Sequence, residues 1–294
     1  MSEKHKIVNE GRILGVSVEL AIRVSALVHE TQKERGATAI FVGSQGKKFE
    51  TGLLSQRSQT DKKIEALDTY MKSIDLSELS LVYINDIKKS IDELNRVKTI
   101  RSQVDTLSIT KADVLHYYTA MNALFLDSIS DLAKVAPDPR IVKFLNSFVN
   151  FLYSKERAGI ERAIGAGAFS SDSISVKDRI KFSRLISEQD SFLKSFEILE
   201  SRENIKYYKE TLHGEIIDDV NKMREVILNA RNIGGFNIDS KYWYEMMTQK
   251  ITILKEVEDY ITSKFSPTSI ELIVGIRLTK KLNSIVHETQ KERG

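Results

Sequence analysis

Leu27-Val28-His29-Glu30-Thr31-Gln32-Lys33-Glu34-Arg35-Gly36 is the stretch on which the reading of this chain turns. Residues three, four and seven apart share one face of a helix. Around Arg35 those positions hold Val28, Thr31, Thr38, Ala39 and Val42. The guanidinium therefore points along the face that carries the apolar stripe. Lys33 and Glu34 fall on other faces, where water can reach them. A buried arginine must find a carboxylate, a ring of carbonyls or a bound anion, because an unpaired charge is costly in an apolar interior. The small residues Gly36, Ala37 and Ala39 leave room beside it.

The chain returns to this stretch. The run VHETQKERG spans Val28 to Gly36 and recurs, identical over nine residues, from Val286 to Gly294. A looser echo, Ser154-Lys155-Glu156-Arg157-Ala158-Gly159, lies in the middle, with Tyr153, Ile160 and Ile164 on the face of Arg157. Arg35 and Arg157 stand 122 positions apart (157 minus 35). The first and middle copies read as the two halves of one binding site. The last reads as the opening of a further domain that this chain does not complete.

Outward from these runs the pattern is helical. Proline occurs three times, at 137, 139 and 267, and long alternating apolar-polar runs are absent. The spacing predicts helices over about 10–42, 53–74, 75–107 (with Asp75 and Glu78 as a capping box) and 110–135. Pro137 and Pro139 punctuate the chain, and the plan then repeats with helices over about 140–169, 176–201, 205–232 and 239–265. Each half accommodates four helices with short connections. The expected fold is all-α, two consecutive antiparallel four-helix bundles with halves at about 10–135 and 138–265. A C-terminal helix over 266–294, beginning after Pro267, resembles the start of a second copy.

The 294 residues include 44 basic and 41 acidic side chains and no cysteine. The charge balance argues against nucleic acid as a partner, and disulfides and thiolate metal sites are excluded. Ile13 to Val28 is apolar, but Glu19 and Arg23 interrupt it, and a spanning helix needs about 20 mostly apolar residues. No direct membrane insertion is expected. A start methionine without an export signal points to the cytoplasm, the alternative being a periplasmic region cut from between two membrane helices.

Catalytic constellations are missing. The five histidines are scattered, and no zinc-protease, phosphate-loop or calcium-loop motif occurs. Nothing in the chain demands a cofactor. The anomaly is arginine on apolar stripes: Arg35, Arg157 and also Arg224, which has Ile217, Val220, Ile227 and Leu228 around it. From spacing alone an interhelical salt bridge or a snorkelling side chain is the simpler account of each. Arg57 and Arg184 are explained by Asp61 and Glu188 four residues on. Trp243, Tyr117 and Tyr118 read as core.

Several runs, in order, carry a family resemblance. LVHETQKERGATAIFVGSQGKKF is followed by LLSQRSQTD, YTAMNALFLDSISDLA, SKERAGIERAIGAGAF, RIKFSRLISEQDSFLKSF, VNKMREVILNA and WYEMMTQKITILKEV. From about Val24 to Tyr260 this resembles the bacterial nitrate- and nitrite-sensing (NIT) domain family. The resemblance implies a helical sensor that binds nitrate or nitrite between its bundles, with Arg35, Arg157 and Arg224 on the anion. It implies transmission of a helix shift to a downstream signalling output domain, which is absent from this chain, as in chemotaxis receptors, kinases or antiterminators. A homodimer is expected. The rival is a structural helical scaffold for dimerisation with no anion ligand.

Overall fold

The computed structural model describes residues 3–76, 79–136, 139–230 and 234–264. Ten helices account for nearly all of them: α1 (Glu3–Gly43), α2 (Glu50–Ser73), α3 (Leu81–Asn95), α4 (Val97–Asp105), α5 (Lys111–Val135), α6 (Pro139–Ser170), α7 (Val176–Leu199), α8 (Arg202–Thr211), α9 (Glu215–Leu228) and α10 (Ser240–Ser263). Among the described residues there is no strand, and no helix is long and apolar enough to cross a membrane. The nine-residue repeat at 286–294 and the helix expected over 266–294 lie outside the described residues.

The polar residues between apolar runs set the helix starts. Ser80, Thr110, Ser175 and Ser201 each accept a hydrogen bond from the backbone N–H three residues on, and Asp239 accepts one from Lys241. These side chains satisfy N–H groups that have no partner within the first turn. Two expected helices are divided. The stretch predicted over 75–107 begins instead at Leu81, capped by Ser80 rather than Asp75, and is interrupted at Arg96. The stretch predicted over 205–232 breaks between Thr211 and Glu215, where Gly214 takes a φ of 93°. That left-handed backbone suits a residue without a Cβ, and apolar periodicity alone does not register it.

Counting α3–α4 and α8–α9 as single broken helices, each half is a four-helix bundle. In the first, α1 packs on α2 and α5, and α3 on α5; in the second, α6 packs on α7 and α10, and α10 on α8 and α9. The halves meet where α6 lies against α5 and α1. One continuous apolar core runs through both, from Leu20, Val24 and Leu27 through Tyr118 and Phe125 to Phe148, Phe151, Phe182 and Trp243. The candidate site lies at the crossing of α1 and α6.

Candidate anion site between the two halves

α1 has little free surface, because α2, α5 and α6 all pack on it. Thr31, Gln32, Glu34, Arg35 and Thr38 are all buried. Glu34, expected on a solvated face, is fully buried, whereas Lys33 is exposed beside Glu30. Arg101 of α4 donates to both Glu34 oxygens, at 2.7 and 2.9 Å, and the Tyr118 hydroxyl donates to it at 2.7 Å. Burial pushes the Glu34 carboxyl up, but the hydrogen bonds and charge of Arg101, together with hydrogen bonds from Thr60 and Tyr118, outweigh it and hold the group below the usual carboxylate range. Arg101 also takes Asp61, so Arg57 pairs with Asp105 of α4 and not with its own helix neighbour. Arg184 does lie 3.5 Å from Glu188.

Arg35 is buried and spans the interface. It donates to Thr119 of α5 at 2.9 Å and to both oxygens of Glu156 on α6. Gln32 donates to Glu156 at 2.6 Å from the preceding turn of α1. A Cβ on Gly159 would stand 2.8 Å from the Arg35 guanidinium, so this glycine sets how closely α6 approaches.

The structure brings Arg35 and Arg157 to one cleft, and Arg224 elsewhere. The cleft, about 830 Å³, opens between α5 and the α6–α7 pair. Leu115, Ile160, Ile164 and Leu185 form its apolar lining. Its charged lining is five cations (Arg35, Lys111, Arg157, Lys181, Arg184) against two carboxylates (Asp178, Glu188). Arg157 is part-exposed, donates to Glu188 at 2.7 Å and lies over the Phe192 ring. Its face borders the cleft, not the core. Arg224 donates to both oxygens of Glu161 at 2.7 Å and to Gln189 at 3.1 Å, which ties α9 to α6 and α7. Burial raises the Glu161 carboxyl, and the hydrogen bonds and charge of Arg224, with the charge of Lys250 and the bond from Gln189, together more than reverse this.

The two ties, Arg101 on Glu34 and Arg224 on Glu161, are the same device in the two halves. Each is a two-point bond from the broken helix to a fully buried glutamate on the central one. Glu34 is followed by Arg35 and Glu161 by Arg162, and both pairs are 127 positions apart (161 minus 34, 162 minus 35). The structural counterpart of Arg35 is thus Arg162, five residues beyond the Arg157 that the Lys-Glu-Arg echo suggested. The letters of the echo are closer, but the packing follows the later pair.

Arg162 is the residue that the sequence argument passed over. It is buried, donates to Thr248 at 2.9 Å, and lies 4.6 Å from the Tyr244 ring centroid. Among the described residues it has no carboxylate partner, unlike Arg35, Arg157 and Arg224. A Cβ on Gly36 would stand 3.2 Å from it, so Arg162 rests on the helix that carries Arg35. Burial first, and the charge of Arg35 also, pull its pKa below the ordinary arginine value. One signal was available: Ala158, Gly159, Gly165 and Ala166, at the helical spacings around it, are all small.

Trp243 fixes the α6 backbone at Arg162. Its indole N–H donates to the Arg162 carbonyl at 3.0 Å, and its ring lies on Gly165. Trp243, Tyr117 and Tyr118 are all core residues, as expected.

Comparison with known proteins places this geometry in context. A family model described as nitrate and nitrite sensing matches residues 26–265. The chain is 22% identical over 258 residues to the nitrate regulatory protein of Klebsiella oxytoca, covering 87% of this chain and 62% of that protein. It superposes on the structure of the NasR transcription antiterminator with a TM-score of 0.83 and 21% identity, covering 98% of this chain and 79% of the other.

Proposed function

The chain belongs to the nitrate and nitrite sensing family, and on that premise we propose that it binds nitrate or nitrite at the α1–α6 crossing, between Arg35 and Arg162. The observation that carries the reading is Arg162: a buried guanidinium beside a second one, without a carboxylate of its own. Nitrate is planar and singly charged, with three acceptor oxygens. A guanidinium offers a planar fork of donors that suits such an anion better than an ammonium does. Arg35 lines the cleft between α5 and the α6–α7 pair and Arg162 lies behind it, outside the lining; Arg157 and the other cations of the cleft raise the local anion concentration beside Arg35. Arg224 is already held by both oxygens of Glu161 and positions α9 through it.

Ligand acts on the fold only through different affinities for two arrangements. Two guanidinium groups facing each other repel, and an anion between them lets α1 and α6 draw together. Helix displacements of about 1–2 Å are common in such switches. The response then passes to a neighbouring output segment. The chain spans 62% of the length of the nitrate regulatory protein it matches.

Thermal melting with nitrate or nitrite, against chloride at equal ionic strength, tests this reading. A ligand at 100 times its dissociation constant adds about 2.7 kcal/mol of stability. An upward shift specific to nitrate or nitrite is expected; no shift would favour a helical scaffold that binds no anion.

A further inference from the structure

We infer that Glu156 sets the charge of this site and thereby selects singly charged over doubly charged oxyanions. The inference rests on the anion reading above. Glu156 is buried and fixed by two successive turns of α1, through Arg35 and Gln32. Its place in the interface does not depend on a mobile side chain at the surface.

The charges at the crossing are few. Arg35 and Arg162 contribute two positive charges and Glu156 one negative. The neighbouring carboxylates are already engaged, Glu34 by Arg101, Glu161 by Arg224 and Glu258 by Lys155 and Lys255. In the 127-residue register the α1 counterpart of Glu156 is His29. Burial foremost, and the charge of Lys155, lower its pKa to about 2, so it is neutral and adds no charge to the crossing. Among Arg35, Arg162 and Glu156, one positive charge is left uncompensated in a buried place.

A monovalent anion cancels that excess. A divalent anion converts it into an excess negative charge, which the interior tolerates no better. The selection follows from charge count, not from the shape of the anion. A neutral residue at position 156 would leave two positive charges, the match for a divalent anion.

Isothermal titration calorimetry of the full chain tests this with nitrate, perchlorate and sulfate in chloride-balanced buffer. Perchlorate and sulfate are both tetrahedral and differ in charge, so their comparison separates charge from shape. In Glu156→Gln, affinity for sulfate should rise about tenfold or more relative to perchlorate and nitrate. Thr248→Asp places a carboxylate beside Arg162 and removes the excess charge. It should weaken nitrate binding about tenfold or more, while its melting temperature without nitrate does not fall. If Glu156→Gln does not fold, Thr248→Asp decides alone. Unchanged sulfate-to-perchlorate preference in Glu156→Gln, or wild-type nitrate affinity in Thr248→Asp, overturns the inference and leaves the nitrate reading standing. A wild-type chain that binds no nitrate overturns both.

Discussion

Arginine has three distinct roles in this protein, and substitution separates them. Arg35→Gln and Arg162→Gln are expected to eliminate the nitrate-dependent melting shift while circular dichroism stays helical. Arg157→Gln should weaken the response without removing it, since Arg157 borders the cleft and already has Glu188. Arg224→Gln leaves Glu161 without its two-point partner. Breaking a buried pair on one side costs about 3–5 kcal/mol, so this variant should melt well below wild type, yet any folded fraction should still respond to nitrate. A nitrate shift of wild-type size in Arg162→Gln would remove Arg162 from the site. Lys250 offers a test by pH. It is buried, and burial, then the charge of Arg224, bring its pKa down from 10.5 to about 8. Between those values the unfolded chain binds more protons than the folded one, so stability should rise from about pH 8 towards pH 10.5. Lys250→Met should flatten that rise and stabilise the protein at pH 7 by about 1–3 kcal/mol, read from urea unfolding. A rise of equal size in the variant would show that another group is responsible.

At the scale of the element, α6 is the most demanding helix. It must approach α1 at Gly159 and α10 at Gly165, on different faces. An alanine in place of an exposed helical glycine normally stabilises by about 1 kcal/mol. Gly165→Ala should have the opposite sign, because the new Cβ would enter the Trp243 ring. Overpacking of this kind costs about 1–3 kcal/mol. Since Trp243 also holds the Arg162 carbonyl, the variant should show altered tryptophan fluorescence and a smaller nitrate response. Stabilisation with an unchanged spectrum would mean that α6 and α10 are free to separate at this point.

For the whole molecule, the polar ties divide into those within a half and those between halves. Arg101–Glu34 and Arg224–Glu161 close the individual bundles, whereas Arg35–Glu156 and Arg35–Thr119 cross from one to the other. Arg35 makes both crossing bonds and is part of the proposed anion seat, so ligand and inter-bundle packing are coupled there. All of these bonds are made before Lys264. A chain ending after Lys264 should therefore retain the nitrate-dependent melting shift of the 294-residue chain. Its loss on truncation would assign residues 265–294 a part in the sensor itself.

Apolar spacing, capping residues and the proline pair determined the helical class, the two-part plan and most helix ends, because these depend on interactions within a turn or two of the chain. Thr110, Ser175 and Asp239 start helices where their local chemistry says they should. The same spacing placed Arg35 on a buried face. It misjudged Glu34, since a helix packed by three neighbours keeps only a narrow solvated strip, at Lys33, and periodicity along one helix does not count its neighbours. It also aligned the halves by the letters Lys-Glu-Arg, five residues from the register in which they pack. Only the tertiary structure shows which arginines have a carboxylate within reach. Arg35, Arg157 and Arg224 have Glu156, Glu188 and Glu161, each distant along the chain. Arg162 has none among the described residues, and that difference belongs to the crossing of two helices, not to either one alone.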